Sequence, residues 1–174
     1  MTVAAIDAPR IGVVGWKNAG KTTLAAGLIA ELTARGLLVA SVKSAHHAFQ
    51  IDNPNTDSGR HAAAGAAQTA IVGGARWAIM ANRAETNAPE LSVDDILSRM
   101  SPCDIVILEG FKGSPHAKIE VRGDSKDQSH LSEDDPNIIA IACDNEVQTG
   151  LPVFKRNALV FMTDFVLKHA GIET

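Results

Sequence analysis

The sequence predicts an α/β protein of three layers, with a mostly parallel central sheet between helices and an antiparallel hairpin element. Three observations lead there. Ile11 to Val14, Asp104 to Leu108 and Ile138 to Ala142 are nearly unbroken apolar runs of strand length, the pattern of strands buried on both faces. Helix-forming stretches alternate with such runs, as in parallel sheets built from crossover units. Gln68 to Val72 and Arg76 to Met80 flank Gly73-Gly74-Ala75, a spacing that suggests a hairpin.

The opening is the most informative stretch. Arg10 to Leu24 reads RIGVVGWKNAGKTTL: an apolar strand that breaks at Gly15, a glycine-bounded loop, and a helix-forming run from Thr22. Gly15 and Gly20-Lys21-Thr22 fit the phosphate-binding pattern G-x-x-x-x-G-K-[ST], which makes the expected fold that of the P-loop NTPases. Such a loop points successive backbone N–H groups at phosphate oxygens, and the helix N-terminus adds partial positive charge. In this pattern Lys21 reaches the β- and γ-phosphates and the Thr22 hydroxyl binds Mg²⁺.

Composition narrows the partners. The chain has 174 residues, enough for a sizeable core, with 45% hydrophobic and 21% charged residues. A formal net charge of -4 supplies no global basic field for nucleic acid or anionic lipid, so local geometry must hold a phosphate. Cys103 and Cys143 lie far apart without metal-type spacing; buried free thiols are favoured, and a bridge between neighbouring strand ends stays open. No apolar stretch reaches membrane-spanning length, and residues 1–9 lack the features of a secretory signal. The expectation is a soluble cytoplasmic protein with a loose tail at residues 1–9 and a single domain over 10–174.

The elements follow in order. Thr22 to Arg35 reads as a helix with Leu24, Leu28, Ile29 and Leu32 on one side, ended by Gly36. Leu37 to Val42 is the second strand, reached by a right-handed crossover. Lys43 to Gly59 is a polar, irregular stretch past that strand's carboxyl end, where open sheets bind ligands. Asp57 or Ser58 is the expected cap of a short helix through Ala64, and Ser92 the cap of another that ends near Met100. Lys118 to Val121 alternates as a short strand, and Gly123 to Pro136 is charged, turn-rich and expected to be mobile. Pro152 to Phe154 forms a last short strand. Asn157 is the expected cap of a closing helix, Ala158 to Ala170, that buries Ala158, Phe161, Met162, Phe165 and Val166.

Beyond the loop, Glu109 stands at the carboxyl end of its strand and is better placed than Asp104 for a role beside the metal or the attacking water. Gly110 lets backbone approach a ligand, or only serves the turn. His46 and His47 follow the second strand toward the same edge and can bond phosphate oxygens, or are ordinary loop histidines. Asp57 could order Mg²⁺ water or cap its helix. Asp144, after the Ile138 to Ala142 strand, could accept from guanine N1–H and its amine, although no N-K-x-D motif accompanies it and a turn aspartate is as good a reading.

With those residues set out, the chain resembles the MobB family, molybdopterin-guanine dinucleotide biosynthesis protein B. The resemblance rests on GWKNAGKTTL, VKSAHH with its following acids, AGAAQTAIVGGARWAIM, and DIVILEGFK followed by HAKIEVR. It implies a GTP-binding, Mg²⁺-dependent homodimer with slow GTPase activity, an accessory partner of MobA. MobA is the guanylyltransferase that joins GMP from GTP to molybdopterin; whether molybdopterin also binds this chain stays open. Carried over by motif, Gly15, Trp16, Lys17, Asn18, Ala19, Gly20, Lys21, Thr22 and Thr23 hold the phosphates and Thr22 the metal. Glu109 lies near the metal and γ-phosphate, and His46 and His47 line the adjoining pocket. Lys17 and Asn18 depart from the small residues familiar at those loop positions.

Two other functions compete. A small-molecule kinase or ligase would transfer the γ-phosphoryl group, but Arg60, Arg76, Arg83, Arg99 and Arg122 are scattered rather than clustered as in an arginine-rich lid. A scaffold with a dead nucleotide site is the third reading. No residue clearly supplies a water-orienting glutamine or an arginine finger, which favours slow hydrolysis.

Overall fold

Ile11, Val13 and Val14 are buried in the strand β1 (Arg10–Gly15), which has a parallel partner on each side. The computed structural model describes residues 7–45, 55–81, 91–123 and 129–173. After β1 come α1 (Lys21–Ala34), β2 (Val39–Lys43), α2 (Asp57–Ala63), β3 (Gln68–Val72), β4 (Trp77–Ala81) and α3 (Val93–Leu97). Then follow β5 (Ile105–Glu109), β6 (Ala117–Val121), α4 (Leu131–Asp134), β7 (Ile138–Ala142), β8 (Val153–Phe154) and α5 (Leu159–Ala170). Contacts divide the chain into two units, residues 1–45 with 98–174 and residues 46–97, where the sequence reading has one domain across 10–174.

The first unit holds a six-stranded sheet in the order β2-β5-β1-β6-β7-β8, every neighbouring pair parallel. Its carboxyl edge therefore gathers Gly15, Lys43, Glu109, Val121 and Ala142, the strand ends where open α/β sheets bind ligands. On one face α1 and α5 pack against each other and the sheet. Leu24, Leu28 and Leu32 of α1 join Ile11, Val13, Ile105, Ile107, Ile119 and Val121 there, with Met162 and Val166 from α5. Gly27 permits the close helix approach, since a Cβ would stand 2.8 Å from Leu159 Cδ1. Gly36, at φ 87°, ends α1 with its N–H on the Thr33 carbonyl.

The opposite face of β6 is a polar one. Lys118 and Glu120 are each only 1% exposed, although their alternation with Ile119 and Val121 looks like a half-solvated strand. Partners explain their burial. Lys118 Nζ donates to Asp135 Oδ2 at 2.8 Å, and Glu120 accepts from the Leu131 N–H at 2.8 Å and from Arg122 at 3.0 Å. Those bonds tie residues 131–135 to the sheet as a short helical turn. The mobile segment expected across Gly123 to Pro136 is thus ordered in this part, while residues 124–128 lie outside the described ones.

The closing helix turns a different face inward. Met162 and Val166 are buried as expected, together with Thr163 and Leu167, whereas Phe161 is 70% exposed. Buried positions 162, 163, 166 and 167 form one stripe at helical spacing, and Phe161 falls just off it. Phe165 is half-buried against Phe154, and Arg35 links α1 to α5 by donating to Asp164 Oδ1 at 2.6 Å and to the Val160 carbonyl. Ala158, not Asn157, takes the cap position, without a side-chain cap bond.

In the second unit, β3 and β4 pair antiparallel as a sheet of their own, and Gly73 N–H closes the hairpin on the Arg76 carbonyl at 2.8 Å. Helix α2 packs on β3. Its cap is Thr56, whose hydroxyl accepts from the Gly59 N–H; Asp57 and Ser58, the expected caps, begin the helix instead. Ser92 caps α3 reciprocally with Asp95, but that helix ends at Leu97 rather than near Met100.

Candidate functional site

The β1–α1 connection is a preformed cradle. A Cβ on Gly15 would collide with the Val121 carbonyl, its register partner on β6, so only glycine lets the loop leave the sheet there. Asn18 (φ 63°) and Gly20 (φ 100°) both lie in the left-handed region, and buried Ala19 donates back to the Trp16 carbonyl at 3.2 Å. Asn18, one of the two departures from small residues, has the side chain that best tolerates that conformation. Helix α1 begins at Lys21 with no side-chain cap bond and no acid in its first turn. Its leading N–H groups and positive dipole end are consequently open to an external anion.

Lys21 Nζ bonds the Trp16 carbonyl at 2.7 Å, folded over the loop that the pattern has it serve. Thr22 Oγ1 donates to Glu109 Oε1 at 2.7 Å, joining the start of α1 to the end of β5. Lys43 Nζ, at the end of β2, donates to the same Glu109 oxygen at 2.9 Å and to Thr22 Oγ1 at 3.1 Å. Thr23 is exposed on the same helical turn, and Lys17 is exposed at the loop's tip. Gly110 (φ 91°) lets the chain turn out of β5 past Ser44, whose Cβ would lie 3.0 Å from one added there.

Lys112 closes the loop from above. Its ammonium lies 4.0 Å from the Trp16 ring centroid, and Trp16 Nε1 in turn donates to the Ser129 carbonyl at 2.7 Å. Burial and the neighbouring charge of Lys21 push the Lys112 pKa down, so two cations converge where phosphate charge would relieve their repulsion.

Asp144 follows β7 and is engaged by Arg156, whose N–H bonds Oδ1 at 3.0 Å and whose guanidinium bonds Oδ2. The Arg156 N–H and guanidinium hold this carboxyl below its usual range. Gly20, Thr23, Leu24, Val121, Asp144, Arg156 and Leu159 border a cavity of about 500 Å³ that runs from the loop toward α5. It could take the nucleoside end of a nucleotide whose phosphates enter the loop.

The expected residues therefore divide. Gly15 to Thr23, Glu109 and Gly110 share one edge, and Asp144 reaches it through the cavity wall. Asp57 heads α2 in the second unit, and His46 and His47 lie outside the described residues. Lys43 and Lys112 belong to the VKSAHH and EGFK motifs but carry no role there, and Arg156 belongs to no motif. Lys43 had a signal, a cation that ends an apolar strand at the ligand edge. Arg156 is brought in only by tertiary pairing. Both cysteines are free thiols, Cys143 buried and Cys103 partly so.

A divalent ion fits the donor set. Thr22 and Glu109 present a hydroxyl and a carboxylate, hard oxygen ligands of the kind Mg²⁺ takes one or two of while phosphates and water fill its other positions. Among the described residues no group of three His, Cys, Asp or Glu is arranged to hold a metal, so an all-protein cage is not present there.

Comparison with known proteins agrees with this architecture. Residues 10–144 match the family Molybdopterin guanine dinucleotide synthesis protein B. The chain is 34% identical to the molybdopterin-guanine dinucleotide biosynthesis adapter protein of Escherichia coli, over 92% of each chain. It is 33% identical to that of Haemophilus influenzae, over 91% of this chain and 87% of the other. Among solved structures, a molybdopterin-guanine biosynthesis protein B superposes with a TM-score of 0.69 at 28% identity, covering 93% of this chain and 99% of that one. Bacillus subtilis MobB superposes with a TM-score of 0.67 at 27% identity, covering 92% and 96%. With its three-layer P-loop fold and these matches along most of its length, the chain belongs to the MobB family.

Proposed function

We propose that this chain is a GTP-binding adapter of molybdopterin guanine dinucleotide biosynthesis that works beside a MobA-type guanylyltransferase in the cytoplasm. The relatives' names support the adapter role. The observation that carries the nucleotide reading is the Thr22–Glu109 hydrogen bond of 2.7 Å beside an uncapped α1 N-terminus. Loop amides and Lys21 bind the phosphates, Thr22 and Glu109 hold the metal, and Lys112 adds charge above Trp16. Bound Mg²⁺ would screen the β- and γ-phosphates and support charge that develops on hydrolysis. Slow hydrolysis is the expected rate, since no sequence motif marks a water-orienting glutamine or an arginine finger, and a partner would then complete the site.

Guanine selection is assigned to Asp144. A base that enters the cavity displaces or shares the Arg156 guanidinium, and the Asp144 carboxylate then accepts its two N–H groups. The chain works as a homodimer. Val72, Trp77 and Ile79 are 82%, 65% and 60% exposed on a two-stranded ribbon, and such an exposed apolar group suits contact with a second copy. Molybdopterin is a candidate second ligand of the assembled complex.

Calorimetric titration with GTP, GDP and ATP, with and without Mg²⁺, alone and beside the transferase, tests this reading. The expected result is Mg²⁺-strengthened binding with GTP preferred over ATP, and a further change with the transferase present. Equal affinity for ATP and no effect of the transferase would contradict it.

A further inference from the structure

Lys43 and Glu109 are register partners where β2 pairs with β5, so the backbone itself brings their side chains together at the sheet's carboxyl edge. The Lys43 ammonium stands 2.9 Å from Glu109 Oε1 and 3.1 Å from Thr22 Oγ1, and those two oxygens are 2.7 Å apart. It thus rests on the same pair that offers a divalent ion its protein oxygens. An ion that bonds these atoms at the short distances typical of Mg²⁺, about 2.0–2.1 Å, leaves no room for the ammonium beside it, and the two positive charges repel. One must leave.

Exposure decides which side chain moves. The Glu109 side chain is 13% exposed and the Lys43 side chain 58%, so the carboxylate is held by its surroundings while the lysine is free to swing on a flexible four-carbon stem. We propose that Lys43 is a built-in cation of this site: it holds Thr22 and Glu109 together in the metal-free protein and is displaced when a divalent ion enters. The inference rests on the nucleotide–metal reading above and adds to it a competition between a side chain and the ion. Lys43 gives the carboxylate, already bonded by Thr22, a counter-charge while the metal is absent, and it makes metal uptake weaker than the two oxygens alone would allow. It is a positioning residue, acting through Thr22 and Glu109.

The test is a Mn²⁺ titration of the full chain with saturating GDP, free Mn²⁺ being read by electron paramagnetic resonance. Wild type is compared with Lys43→Met, Lys43→Gln and Lys43→Arg, each first checked for an unchanged melting transition. Lys43→Met and Lys43→Gln are expected to bind Mn²⁺ about two- to fivefold more tightly, the range an exposed ion pair supports, while Lys43→Arg stays near wild type. Unchanged or weaker Mn²⁺ binding in both uncharged variants overturns the proposal and leaves the nucleotide reading standing. Failure of wild type and variants alike to take up Mn²⁺ in the presence of GDP overturns that reading and this inference with it.

Discussion

The Thr22 hydroxyl bonds the Glu109 carboxylate at 2.7 Å although 87 positions separate the two residues. One begins the helix after the phosphate loop and the other ends the strand beside β1. The parallel sheet makes the meeting possible, because it delivers both to one edge.

Glu109→Gln keeps the shape of that contact and removes its charge. The Mg²⁺-dependent gain in GTP affinity is expected to shrink by about 1.5–3 kcal/mol, the scale of a charge-assisted bond, while Mg²⁺-free binding changes less. Titrations at two Mg²⁺ concentrations check this; an undiminished Mg²⁺ effect places the metal elsewhere.

Gly15→Ala puts a methyl group against the Val121 carbonyl, and β6 cannot yield without losing its register. A loss of about 1–3 kcal/mol in urea unfolding is expected, comparable with overpacked cores. Gly74→Ala, where an added Cβ meets nothing, is the control and should stay close to wild type.

Asp135→Asn leaves Lys118, 1% exposed, without its carboxylate. Breaking a buried pair in this way costs about 3–5 kcal/mol, and the partly exposed Asp135 puts this one at the lower end. Acid should act on the same region. Burial pushes the Asp135 carboxyl up, but Lys118 and Asn137 outweigh it and hold its pKa below the ordinary value, so its contribution is present at neutral pH and lost as pH falls through the folded-state value. Burial and the charges of Lys118 and Arg10 lower the His116 pKa to about 4. Between about pH 6.5 and 4 the unfolded chain takes up a proton that folded His116 refuses, so stability falls with acidification there too. Urea midpoints from pH 7 to 4 should decline in wild type and decline less in His116→Gln.

Trp77→Arg places charge on the exposed ribbon of β3 and β4. If that ribbon joins two copies, sedimentation should show the dimer shifting toward monomer while far-ultraviolet circular dichroism stays the same. An unchanged sedimentation coefficient would move the interface away from the ribbon.

The legible parts of this fold are those where local pattern and burial agree. β5 and β7 read as buried strands because nearly every residue is apolar, and the Gly15–Thr22 loop read as a phosphate cradle because its glycines are spaced for one. β6 hid its second buried face, since Lys118 and Glu120 look like solvent-facing residues until Asp135 and the Leu131 N–H are known as partners. Phe161 misled because periodicity gives a helix's stripe only to within a residue, and the packing of Met162, Val166 and Leu167 into the core settles the rotation. Thr56 outdid Asp57 as a cap by one position. Lys43 is visible as a cation at a strand's end, but its pairing with Glu109 comes from strand register, and Arg156 is brought to Asp144 only by tertiary pairing.

The most direct test is a GTP titration with Mg²⁺ of wild type beside Lys21→Ala. Wild type should bind, and Lys21→Ala should lose about 1.5–3 kcal/mol, because the phosphates lose a cation at the loop while the Thr22–Glu109 pair stays intact. Equal GTP affinity in the two proteins would show that the Gly15–Thr22 loop is not where nucleotide binds.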